Sequence, residues 1–246
     1  MMSTLLVTST ISPDADVYLI ARKDPQLRLN DYVEALPTYL NLIKARIIDN
    51  LVYADNSGFD LTPLRTLAEQ MGVADKCEFI SFKSLADPEV SRYFLEVDLI
   101  RYVILNSVFL KENTQYVWKV TGRYRVKNAA SIIRESPSDG DVYVNCRNHP
   151  YKTVDFYFLR FNMAGFYKLV SASLDDFKSR RNGEDILRER IDSGFAPDIK
   201  VIPRFNVTPQ LLGTRGFDGA RYGGLKYQAK QTIRRVLNRI FPNFWL

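Results

Sequence analysis

Histidine and cysteine are nearly missing from this chain of 246 residues, which has one histidine, His149, and two cysteines, Cys77 and Cys146. None of the three has a partner at metal-ligand spacing, which argues against a zinc site. Two cysteines in unrelated contexts make no disulfide framework and suit a reducing compartment. No apolar run reaches the length that crosses a bilayer. The opening MMSTLLVTSTI lacks the basic start and long apolar core of a signal peptide and reads as a first strand. Repeats, low-complexity tracts and an obvious linker are also missing. Acid is missing from the C-terminal end: none follows Asp218, whereas Arg221, Lys226, Lys230, Arg234, Arg235 and Arg239 do. Those six equal the whole net charge of +6, so the chain up to Ala220 is neutral. The basic character describes a tail, not a nucleic-acid-binding domain.

What remains is ordinary for a soluble globular protein, with 46% hydrophobic and 25% charged residues. The first half alternates. Leu5–Ile11, Ile47–Tyr53, Cys77–Phe82 and the run from Tyr116 read as strands. Asn30–Ile43, Leu61–Met71 and Leu95–Leu110 carry helical spacing, with Pro37 a kink in the first and Gly72 the stop of the second. Such alternation predicts an α/β fold with a mixed, mainly parallel sheet flanked by helices. In the second half, Asp141–Cys146, Phe156–Phe161 and Ile199–Phe205 read as strands. Leu174–Ser179 and Glu184–Ser193 read as helices, Met163–Ser171 fits either state, and Pro209–Gly224 reads as a flexible glycine-rich loop.

The stretch that organises the chain is Tyr116–Asn128, YVWKVTGRYRVKN. A buried strand opens there into a Thr121-Gly122 corner flanked by Lys119, Arg123, Arg125 and Lys127. The carboxyl end of a strand in an α/β sheet is where such folds hold ligands, and the cations suit an anion. Two further places fit the same logic. Tyr53-Ala54-Asp55-Asn56-Ser57-Gly58 ends the second strand, although Asn-Ser-Gly also makes β-turns anywhere. Asn182-Gly183-Glu184-Asp185 opens a late helix, where acids also simply favour the helix dipole.

With these motifs at the ends of these elements, the chain resembles a glycosyltransferase of the GT-A fold, a Rossmann-like single domain. More narrowly it resembles bacterial surface-polysaccharide enzymes with a strand ending in K-x-T-G-R-Y, here Lys119-Val120-Thr121-Gly122-Arg123-Tyr124. The resemblance implies a catalytic domain over 1–224, with a nucleotide-sugar half (1–128) and an acceptor half (129–224), followed by a C-terminal helix (225–246). It implies a nucleotide-sugar donor, a glycan or lipid-linked acceptor, and donor contacts from Asp55, Asn56, Lys119, Thr121, Gly122 and Arg123. Asp185, then Glu184, are the expected catalytic bases. Arg22 and Tyr39 are unplaced candidates for the same pocket.

One departure stands out. GT-A enzymes commonly carry Asp-x-Asp at the end of the fourth strand to hold a divalent metal, and this chain has Thr-Gly-Arg. Asp14-Ala15-Asp16 lies in an early loop, and Asp139-Gly140-Asp141 lies in a Ser-Pro-Ser-Asp-Gly turn. The expectation is therefore a site without metal, in which Lys119 and Arg123 stabilise the leaving diphosphate. Mn²⁺ or Mg²⁺ is the alternative. Lys119 turned outward, with Arg123 on a surface acid, is the bland one. His149 reads as a loop residue.

The tail places Ala229, Ile233, Val236, Leu237, Ile240 and Phe241 on one helical face, and the chain ends in Phe241-Pro242-Asn243-Phe244-Trp245-Leu246. A basic amphipathic helix with terminal aromatics suits an anionic membrane surface. The implied location is the cytoplasm, peripheral at the inner face of the plasma membrane. A nucleotidyltransferase making activated sugars is the competing enzyme, but Thr8-Ser9-Thr10-Ile11 lacks the glycine-rich basic loop that class carries after its first strand. A non-enzymatic membrane adaptor is the other alternative. No nucleic acid is expected as a partner, because the cations near Trp118 and Tyr124 are better explained by a phosphate site.

Overall fold

The computed structural model describes residues 2–14, 21–85, 90–111, 114–179, 181–215 and 218–241. The first half runs β1 (Met2–Ser9), α1 (Pro25–Lys44), β2 (Asn50–Asp55), α2 (Thr62–Gln70), β3 (Cys77–Ser81), α3 (Arg92–Asn106), α4 (Val108–Lys111) and β4 (Thr114–Thr121). The second half runs β5 (Tyr124–Val126), α5 (Ala129–Arg134), β6 (Val142–Tyr143), β7 (Cys146–Arg147), β8 (Thr153–Val154), β9 (Phe158–Phe161), α6 (Met163–Gly165), α7 (Gly183–Asp192), β10 (Val201–Ile202), β11 (Leu211–Thr214), β12 (Arg221–Tyr222) and α8 (Leu225–Ile240).

Seven strands form one sheet in the order β10-β6-β9-β4-β1-β2-β3. Neighbours are parallel except β9, which runs against both β4 and β6. Residues from both halves of the chain thus share one sheet, and the expected mixed, mainly parallel architecture is what the chain adopts. Side chains alternate across the sheet. Leu5, Val7, Trp118 and Val120 pack toward α1, α2 and α5. Leu6, Val52 and Val117 pack toward α3, α7 and the helical stretch around Phe166. Trp118 anchors the first layer, stacked on Phe158 with ring centroids 5.0 Å apart.

Local chemistry explains most boundaries. α1 starts five residues before the periodicity suggests, because Asp24 caps it by accepting from the Leu27 N–H at 2.9 Å and Pro25 occupies its first turn. Pro37 stays inside α1. The expected helix Leu95–Leu110 divides at Ser107, whose N–H still closes on the Val103 carbonyl. Met163–Ser171 is helical, with a π-helical turn at Phe166–Val170.

The clearest departure is 209–224, which the sequence presents as a loop. It supplies β11 and β12; β11 pairs antiparallel with both β5 and β12 in a three-stranded sheet. Gly213 and Gly223 have φ of 119° and 108°. Gly213 lies inside β11, where a Cβ would meet the Arg123 carbonyl oxygen at 2.5 Å, and Gly223 directly follows β12, so these glycines serve the sheet rather than the freedom of a loop. Tyr39 braces this sheet: its hydroxyl donates to the Tyr124 carbonyl at 2.6 Å and accepts from the Val126 N–H at 3.3 Å.

Candidate functional site

The carboxyl ends of β1, β2 and β4 open into a cleft of about 930 Å³, its solvent-open mouth included. α1 contributes Arg28 and Tyr32, and α3 contributes Arg92, Tyr93, Glu96 and Leu99. The far wall is Thr121, Arg123, Tyr124, Phe156, Tyr157, Glu184 and Tyr222. Of the residues expected from the sequence, Asn56, Thr121, Arg123 and Glu184 line this cleft. Asp55, Lys119, Gly122 and Asp185 support it from behind or lie outside its lining.

Asp55 is fully buried. One carboxylate oxygen accepts from the Ser9 hydroxyl (2.9 Å) and the Ile11 N–H (2.8 Å). The other accepts from the N–H (2.8 Å) and hydroxyl of Ser57 and from the Phe59 N–H (3.4 Å). All its acceptor capacity ties the end of β1 to the end of β2. Asn56 then reaches the cleft, held by the Thr10 hydroxyl at 2.6 Å and by its own donation to the Leu95 carbonyl at 3.3 Å.

Lys119 has no exposed surface. Its ammonium donates to Glu96 (2.6 Å), the Phe156 carbonyl (2.7 Å) and the Thr121 hydroxyl (3.1 Å). Three donors meet three acceptors, so the lysine neither turns outward nor offers a free proton to the cleft. Its partner Glu96 is invisible in the sequence pattern. The same Glu96 oxygen also accepts from the hydroxyls of Thr8 (2.6 Å) and Thr121 (3.1 Å). Burial opposes charge on Glu96, but Lys119 and these hydroxyls outweigh it and hold the carboxyl below its ordinary value. Its other oxygen has no partner among the described residues.

Gly122 serves packing. A Cβ there would lie 2.8 Å from Val7 and 3.0 Å from the Thr8 carbonyl oxygen. The bare backbone lets the corner after β4 close on β1, where Gly122 N–H donates to that carbonyl at 2.8 Å. The corner in turn delivers Arg123. Its guanidinium carbon sits 5.6 Å from the centre of the Tyr124 ring, and its Nε is buried without a hydrogen-bond partner.

Arg28, missed at the sequence level, is 2% exposed. It donates to the carbonyls of Thr10 (2.6 Å) and Arg22 (3.1 Å) and to the Tyr32 hydroxyl (3.4 Å). No carboxylate among the described residues pairs with it, and burial pulls its pKa down. The helix start hidden by the Asp24-Pro25 cap was the available signal. Arg92 adds a third guanidinium and donates to the Tyr93 hydroxyl at 2.9 Å. Arg22, by contrast, pairs with Asp31 at 2.6 Å.

Glu184 and Asp185 separate at the first turn of α7, which Asn182 caps. Gly183 lets that turn abut the Tyr93 ring, where a Cβ would lie 2.4 Å from the ring carbon Cγ. Glu184 consequently faces the cleft and accepts from the Phe156 N–H at 3.2 Å. Burial and the neighbouring Asp155 charge raise its pKa to about 7, against the pull of that N–H, Arg147 and Arg92. Asp155 is itself held by Arg147 at 2.9 Å, Asn145 at 2.6 Å and the Tyr157 hydroxyl at 3.3 Å. Asp185 has one oxygen buried with no hydrogen-bond partner.

The charge balance of the cleft follows. Three guanidiniums face Glu96, already neutralised by Lys119, and Glu184, which takes up a proton near neutral pH. The cleft is net cationic, walled by tyrosines, and suited to an anionic ligand with planar parts. Among the described residues no group of three or more His, Cys, Asp or Glu side chains converges as metal ligands would. Asp139 pairs with Lys200. Asp141 accepts from the Lys200 N–H at 2.8 Å and the Asn162 amide at 2.7 Å. Asp14 pairs with Lys83. His149 lies between β7 and β8, outside the cleft lining.

No family model matches the chain, and no curated protein matches its sequence. Solved structures do. The inositol-1-phosphate CTP transferase from T. maritima superposes with a TM-score of 0.53 at 13% identity, over 94% of this chain and 96% of that one. A glycosyltransferase involved in glycosylation of the major capsid of PBCV-1 gives 0.44 at 11% identity, over 82% of each chain. The galactosyltransferase LgtC, in complex with donor and acceptor sugar analogs, gives 0.46 at 12%, over 77% and 69%. At these identities the likeness concerns the fold alone: the chain has a mixed α/β fold with a mainly parallel sheet, shared with the T. maritima CTP transferase.

Proposed function

We propose that this protein is a glycosyltransferase that moves a sugar from a nucleoside-diphosphate donor to a glycan or lipid-linked acceptor in surface polysaccharide synthesis. The observation that carries it is the cationic cleft at the carboxyl ends of β1, β2 and β4, the place where open α/β sheets bind nucleotides. Its neighbours in fold bear the names of a CTP transferase and of glycosyltransferases. In this reading Arg28, Arg92 and Arg123 cradle the diphosphate and stabilise the charge that develops as the sugar departs. The site works without a divalent metal, with guanidiniums where the fold's usual Asp-x-Asp would stand. Glu184 replaces Asp185 as the residue facing the acceptor. With a pKa near the working pH it suits proton transfer from an acceptor hydroxyl. Asn56 and the tyrosines hold the nucleoside. A lipid-linked acceptor would place the reaction at a bilayer, where the basic C-terminal helix belongs.

A nucleotidyltransferase is the second reading, favoured by the CTP transferase match along nearly the whole chain. Incubation with nucleotide sugars and, separately, with nucleoside triphosphates plus sugar phosphates separates the two. Release of nucleoside diphosphate from the former, persisting in excess EDTA, is expected. Release of pyrophosphate from the latter alone would replace the proposal with the second reading.

A further inference from the structure

α8 carries its apolar residues on the side turned away from the protein. Ala229, Ile233, Val236 and Ile240 recur at intervals of four, three and four and fall within about 60° of arc at 3.6 residues per turn. All four are exposed, Ile233, Val236 and Ile240 by 58%, 51% and 60%, and Phe241 beyond them by 56%. The opposite side holds Tyr227 and Gln231, joined by a 2.7 Å hydrogen bond, which face the small sheet. A surface helix ordinarily does the reverse. Its outward face therefore needs a cover.

Charge selects the cover. From Gly219 to the end the chain has six cations and no acid. Pairing α8 with α8 of a second copy would set like charge against like. An anionic bilayer supplies both the apolar layer and the opposite charge.

The same helix bears on the cleft. The Tyr227 ring lies 4.9 Å from that of Tyr222, Tyr222 lies 5.4 Å from Tyr124, and Tyr124 lies under the Arg123 guanidinium at 5.6 Å. Tyr222 itself lines the cleft. We propose that α8 docks its outward face on an anionic bilayer and that this docking, through Tyr227, Tyr222 and Tyr124, steadies Arg123 so that the cleft binds diphosphate more tightly at the membrane. The coupling half of this proposal rests on the donor-site reading above; the docking half does not.

The test uses the full chain with vesicles of phosphatidylcholine, with or without phosphatidylserine, and inorganic pyrophosphate as a probe that needs no knowledge of the base. The chain should pellet with the anionic vesicles only, less so as salt is added. Ile233→Asp combined with Val236→Asp, both exposed and so harmless to folding, should abolish pelleting. Anionic vesicles should tighten pyrophosphate binding by about fivefold or more. Tyr227→Ala should pellet normally and lose that tightening. Unchanged pelleting of the double variant overturns the docking, as does a concentration-dependent dimer that the variant breaks without any vesicle binding. Vesicle binding that leaves pyrophosphate affinity unchanged overturns the coupling. Absence of pyrophosphate binding with and without vesicles overturns the donor-site reading and the coupling with it, while pelleting still decides the docking.

Discussion

Replacing Glu184 with glutamine should make the protein more stable and less active, and the stability gain should depend on pH. Burial and Asp155 raise the Glu184 pKa from an ordinary 4.5 to about 7 in the folded protein. The unfolded chain releases this proton near 4.5, so the folded state binds the extra proton between the two values. Below 4.5 both states are protonated and the group costs nothing. Above about 7 both are ionised and the folded state bears the full penalty, about 3 kcal/mol from the difference between the two values. Glutamine keeps an oxygen for the Phe156 N–H and never ionises. Glu184→Gln should therefore match the parent at pH 4 and exceed it by about 3 kcal/mol at pH 8, or roughly 6–12 °C in melting temperature for a chain of this size. Thermal denaturation of both proteins across that range is the assay. An equal gain at both ends, or none at pH 8, would refute the reasoning. Transfer activity of the parent should rise with pH through about 7, as a base losing its proton requires, and the variant should lose that limb.

Other consequences follow from groups behind the cleft. Lys119→Ala leaves the Glu96 charge without its ammonium and should cost about 3–5 kcal/mol, much of it recovered when Glu96→Gln is added; denaturant titration of the single and double variants checks this. Gly122→Ala forces a methyl to within 2.8 Å of Val7 and should cost about 1–3 kcal/mol, read as a lower melting temperature with the nucleotide absent.

The sheet's first half was legible because its strands and helices are long enough to show their period. β1, β2, β3 and β4 are five to eight residues long and alternate with helices of nine to twenty. The second half was less so, because β6 through β8, β10 and β12 have two residues each. Two residues carry no period, and only their pairing makes them strands. At the site, motifs at strand ends pointed to Asn56, Thr121 and Arg123. They did not point to Glu96, which inside a helical run reads as a solvent-face acid. Its role arises only where α3 crosses the end of β4 and meets Lys119. Arg28 was hidden in the same way by a helix start read too late. Choosing between Glu184 and Asp185 required the rotation of α7, which Gly183 fixes against Tyr93.

The most direct test of the account is calorimetric titration of the protein with UDP, GDP, CMP and dTDP and their sugars in EDTA, repeated with Arg123→Ala. Arg123 pairs with no carboxylate among the described residues, and melting curves of Arg123→Ala separate lost binding from lost folding. The account predicts that one nucleotide binds selectively in EDTA and that Arg123→Ala weakens it at least tenfold. Binding that appears only with Mn²⁺, or that survives Arg123→Ala intact, would contradict it.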